Sequence, residues 1–63
     1  MFTINTNTGY VVGINNTHLC VVTSFDVAHA KTFKTRGQAE RYLNKNADCG
    51  YGLNSATASV VAL

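Results

Sequence analysis

Four side chains in this sequence have the chemistry to hold a soft metal ion: His18, Cys20, His29 and Cys49. Zinc takes imidazole nitrogen and thiolate sulfur, and His18 and Cys20 stand two apart, which on a strand puts them on one face. Their spacing matches no finger or ribbon pattern, so they read as turn and strand residues, and no metal is expected. A Cys–His nucleophile pair needs a depressed thiol pKa, an orienting third group and a pocket. A chain of 63 residues has little room to build that pocket. Asp26 and Asp48 are explained more simply as turn residues beside element ends. Gly50-Tyr51-Gly52 precedes a strand rather than a helix, so it is a turn and not a phosphate loop. No catalytic residue and no cofactor are expected. Two cysteines allow at most one disulfide, and two reduced thiols, Cys20 in a strand and Cys49 in a loop, is the simpler reading.

The charge pattern is more informative. Every charged side chain lies between Asp26 and Asp48, and residues 1–25 and 49–63 carry none. The five cations, Lys31, Lys34, Arg36, Arg41 and Lys45, are interrupted only by Glu40. Together with Gln38 and Tyr42 they form the candidate binding residues. Such a window suits an acidic protein surface, where Arg and Tyr are the usual anchors. It could equally follow a phosphate backbone, although five cations are few for that task and the strands lack stacked surface aromatics. A solvated helix face that keeps the domain soluble competes with both readings.

The elements that position this window follow from local patterning. Phe2 and Ile4 alternate with Thr3 and Asn5; Tyr10, Val12 and Ile14 alternate with Val11 and Gly13. In the third run, Leu19, Val21, Thr23 and Phe25 share one face, with His18, Cys20, Val22 and Ser24 on the other. Turn-rich stretches at residues 5–9 and 15–17 separate these runs, which is the mark of a hairpin meander. Asn15-Asn16-Thr17 also fits a glycosylation acceptor but reads better as turn chemistry. After Phe33 the period changes to 3.6. Thr35 as N-cap with Gln38 three residues on forms a capping box, and Ala39, Tyr42, Leu43 and Ala47 fall on one side. Asn46 to Gly52 ends the helix, and residues 56–62 make a last strand with Val60 or Val61 inward.

The predicted fold is therefore α+β with order βββαβ. Strands lie near 2–5, 9–14, 18–25 and 56–62, and one helix over about 36–47 packs on one sheet face, in a single domain over 1–63. A short extended piece at 30–33 is a further expectation, and the last strand could pair beside either the first or the third. One helix cannot cover both faces of four strands. The open face would carry Thr, Asn, Ser and Val without charge, which is unusual for an exposed sheet and leaves self-association as a homodimer open. With 46 % hydrophobic and 13 % charged residues, the chain has the balance of a folded domain rather than a disordered one. The longest apolar runs are far short of the roughly 20 residues that span a bilayer, so no membrane partner is expected. The first residues lack a signal-peptide pattern, and the expected location is the cytoplasm.

Residues 30–43, Ala-Lys-Thr-Phe-Lys-Thr-Arg-Gly-Gln-Ala-Glu-Arg-Tyr-Leu, carry an Ala-x-x-Phe-x-Thr segment that enters a helix bearing Ala, Tyr and Leu. This junction resembles a pattern in small bacteriophage-encoded accessory proteins of the host-takeover and counter-defence type. The resemblance covers about a quarter of the chain. It implies a protein that occupies a surface on a host enzyme or defence complex; inhibitors of nucleases, RNA polymerase and CRISPR effector complexes belong to that class. Members share no functional motif, so it assigns no binding residue. The expected function is non-enzymatic binding and inhibition of a host protein or nucleoprotein complex with an acidic surface. The alternative is a small nucleic-acid-binding accessory protein.

Overall fold

The alternating runs form strands because β-branched and aromatic residues suit a pleated, half-buried surface. A computed structural model describes residues 1–63. It contains β1 (Phe2–Thr6), β2 (Gly9–Asn15), β3 (Cys20–Ser24), a 3₁₀ turn (Val27–His29), α1 (Arg36–Asn46) and β4 (Ser59–Ala62). The four strands form one antiparallel sheet in the order β3-β2-β1-β4. The chain thus leaves the sheet at the β3 edge, crosses it in the segment before α1, and returns after α1 at the opposite edge beside β1. The α+β class, the element order and the single helix agree with the sequence reading.

Two side-chain turns join the first three strands. Thr6 Oγ1 accepts from Thr8 N–H (3.1 Å) and donates to Gly9 C=O (2.8 Å). Asn15 Oδ1 accepts from the N–H groups of Thr17 (3.0 Å) and His18 (3.2 Å). The Asn-rich segment is thus turn chemistry, as expected. Gly9 has φ +117°, and a Cβ built there would stand 2.6 Å from Ser24 O, a backbone atom that cannot step aside. Only glycine fits both the dihedral and the space.

The core holds Ile4, Val11, Ala39, Ala47 and Leu53, with Phe2, Val21, Phe33, Tyr42, Leu43, Ala58 and Val60 packed around them. Helix α1 lies over β1 and β4. The loop after it closes the other side: Leu53 is buried, and Tyr51 C=O accepts from Val21 N–H (2.6 Å) on the β3 edge. Asp48, in the left-handed region at φ +58°, turns the chain into this loop. Its N–H donates to Leu53 C=O (2.8 Å) and its carboxylate accepts from the Ser55 hydroxyl (2.6 Å).

Several sequence expectations are corrected in detail. Strand β3 is shorter than 18–25, and Leu19 and Phe25 lie outside it. Leu19 sits in the turn at φ +52°, and Phe25 is 82 % exposed beyond the strand end. There the Ser24 hydroxyl accepts from Asp26 N–H (3.1 Å) and bends the chain away. Strand β4 starts at Ser59 because Asn54 captures the preceding residues: its side chain accepts from Ala56 N–H (2.9 Å) and its C=O from Thr57 N–H (3.1 Å). A bulge between Val11 and Gly13 reverses the alternation in β2, so Ile14 pairs with Val21 on the core side instead of sharing Tyr10's face.

The extended piece at 30–33 has a structural role. β1 and β2 pair only at Asn5–Tyr10 and Thr6–Gly9, and residues 31–33 fill the space where they diverge. Phe2 and Phe33 exchange both backbone bonds (2.9 and 2.8 Å), and Lys31 N–H donates to Val11 C=O (2.9 Å). The fully buried Thr3 hydroxyl donates to Lys31 C=O (2.6 Å).

Two stability measurements check these contacts. Gly9→Ala is expected to destabilise by about 2–4 kcal/mol, through overpacking and dihedral strain together, seen as a lowered urea midpoint. Thr3→Val leaves Lys31 C=O without its donor and is expected to cost about 1–2 kcal/mol, with faster hydrogen exchange at Phe33 N–H.

Candidate binding surface

The capping residues place the cationic helix. Thr35 Oγ1 accepts from Gln38 N–H (3.2 Å), and Gln38 Oε1 reaches back to Lys34 N–H (3.2 Å), one residue before the usual capping-box partner. Gln38 is therefore engaged in starting the helix. Ala39 is buried and Tyr42 and Leu43 lean on the core. Helical spacing then leaves Arg41 and Lys45 stacked one turn apart on the outer side, both exposed. No acidic residue occupies the first turn. Lys34 and Arg36 thus add to the positive end of the helix dipole instead of neutralising it.

The other cations rest on aromatic rings. Lys31 Nζ stands 5.4 Å from the Tyr42 ring centre and 5.8 Å from that of Phe33. The two rings are tilted, with centroids 5.4 Å apart. The Arg36 guanidinium lies 5.3 Å from the Phe2 ring centre, and it makes no ion pair with Glu40, four residues on. Cation–π contacts of this kind hold a cation in place without removing its charge. Lys31 is held at its backbone too, by Val11 on one side and Thr3 on the other.

The carboxylates do not compensate the cations. The only ion pair within 4.0 Å joins exposed His29 and Asp26 (3.9 Å). Asp26 also caps the 3₁₀ turn by accepting from Ala28 N–H (2.9 Å), and Asp48 is bonded to Ser55. Lys31, Lys34, Arg36, Arg41 and Lys45 are all exposed with no carboxylate partner.

Of the seven sequence candidates, five are exposed cations, Gln38 is a cap, and Tyr42 is a half-buried platform under Lys31. Phe33 and Phe2 were missed as platforms. The Lys31-x-Phe33 spacing on an extended segment hints at the first, whereas the Phe2 contact with Arg36 joins distant parts of the chain and has no local signal. His18, Cys20, His29 and Cys49 do not converge: no three His, Cys, Asp or Glu side chains gather as a metal set. Both cysteines are free, and the Cys49 thiol donates to Ala47 and Lys45 C=O at the helix end (both 3.3 Å). No helix is long and apolar enough to cross a membrane. Comparison with protein-family models, curated proteins and solved structures finds no match for this chain.

Burial pushes the Tyr42 phenol above its ordinary value of 10.0. The unfolded chain then loses this proton first, so stability is full below about pH 10 and falls as pH rises through the folded value. Urea midpoints are expected to decline above about pH 10, with a smaller decline in Tyr42→Phe.

Proposed function

We propose that this chain is a non-enzymatic binding protein of the bacteriophage accessory type. In this reading it acts in the cytoplasm of an infected or carrier host cell, where it occupies and inhibits a host protein or nucleoprotein complex with an acidic surface. The observation that carries the reading is a set of five exposed cations without carboxylate partners, two of them seated on aromatic rings. A cation already held in place loses less side-chain freedom on binding, which is the gain of preorganisation. The polar side chains near these cations have structural work: Asp26, Thr35 and Gln38 cap, and Asp48 shapes a loop. The bacteriophage assignment draws on the strand-to-helix junction at residues 30–43.

A phosphate backbone could engage the same cations, and its behaviour in salt separates it from a protein partner. Capture from host lysate, read by mass spectrometry, is expected to yield a partner whose recovery drops at least tenfold with Arg41→Glu/Lys45→Glu. An outer-face control, Asn44→Gln, should leave recovery unchanged. Adding the purified chain to that partner is expected to lower its activity. Tight binding to random duplex or single-stranded DNA, with affinity falling steeply as salt rises, would replace this reading with the nucleic-acid one.

A further inference from the structure

The two edges of the sheet are not equivalent. At β3, the loop after α1 reaches the edge and Tyr51 C=O takes the Val21 N–H. At β4 nothing covers the edge. The bonding pattern identifies the groups left free there. Leu63 N–H donates to Met1 C=O (2.9 Å), and Phe2 turns both of its backbone groups to Phe33 on the far side of β1. Antiparallel ladders alternate, so with Thr3 opposite Val61 and Asn5 opposite Ser59, those two residues of β4 bond inward to β1. Val60 and Ala62 therefore direct their N–H and C=O groups outward, and neither takes part in any backbone bond outside the strand ladder or in any side-chain bond. An edge left open in this way is normally guarded by Lys, Pro or a bulge. Ser59-Val60-Val61-Ala62 has none of these.

We infer that β4 pairs antiparallel with β4 of a second copy of this chain, making a continuous eight-stranded sheet about a two-fold axis at Val61. The spacing is self-complementary. Each Val60 N–H meets Ala62 C=O of the second copy, and each Ala62 N–H meets Val60 C=O. The two Val61 residues stand opposite each other at the axis, where facing side chains come closest. A second copy suits this edge on charge as well: residues 49–63 carry no charged side chain, so the two strands meet without repulsion between like side-chain charges. The contact uses the same patch on both copies, so it closes at two. Helix α1 lies over β4 as well as β1, so the pairing brings the two cationic helices to one side of the joined sheet; it stands whether or not their cations bind a partner.

The test uses the full chain in solution. Sedimentation equilibrium over a concentration series is expected to show a monomer–dimer equilibrium. Amide exchange at Val60 and Ala62 should slow as the dimer forms, while that of other exposed amides stays constant. N-methylation of Val60 by chemical synthesis deletes an outward donor that has no bond within the chain. It removes one bond at each symmetric site and is expected to weaken the dimer about tenfold while leaving far-UV circular dichroism unchanged. Val61→Lys, which places two ammonium groups at the axis, should also dissociate it, and raised salt should partly restore it. A chain that stays monomeric at millimolar concentration would overturn the inference. So would a dimer in which exchange at Val60 and Ala62 does not change with concentration, whatever surface then holds the copies together.

Discussion

The backbone bonds that seat Lys31–Phe33 between β1 and β2 hold the rest of the structure in place. Phe2 pairs with Ala62 on one side and would face an empty space on the other, because β2 has already diverged. Unpaired buried backbone groups cost free energy comparable to a lost hydrogen bond, and the Phe2–Phe33 pair removes that cost. The buried Thr3 hydroxyl and Val11 C=O are satisfied by the same segment. The crossing chain is thereby fixed before α1 begins, which sets the helix over β1 and β4.

The hydrophobic contribution is small, with five buried apolar residues of which two are alanines. A chain of this length buries only about 60 % of its unfolded surface, so the segments between regular elements must contribute to the core. Leu53 supplies from a loop the bulk that a second helix would supply in a larger domain. Asp48 accepts a left-handed backbone to bring it there, a conformation that Asp tolerates better than most side chains. The result is a sheet with one face covered half by a helix and half by a loop. Its other face has no charge: Thr3, Asn5, Tyr10, Val22, Ser24, Ser59 and Val61 share it by alternation and register.

Charge and bare backbone belong to different elements of this molecule, although α1 lies over β4. The cations stand on α1 and the segment before it, over Phe2, Phe33 and Tyr42, which also touch the core. Their positions are therefore coupled to packing, and the proposed binding surface is as rigid as the junction beneath it. The uncharged strands end at an edge that offers backbone groups alone.

Rules that act over a few residues were enough to read the class, the element order, the cap at Thr35, the turn at Asn15 and the core stripe Ala39, Tyr42, Leu43 and Ala47. Capping, alternation and helical period depend on near neighbours and leave their mark in composition. The cationic window was legible for the same reason, since charge is a property of residue type. The burial of Leu53, the exposure of Phe25 and the reversal of alternation at Val12 had no such mark. Nor did the place of β4 beside β1, the platform under Arg36, or the Tyr51 contact at the β3 edge. Each of these depends on which distant segments meet. Pairing across many residues is settled by the requirement that every buried donor find an acceptor, a condition on the whole chain that no short window of sequence contains.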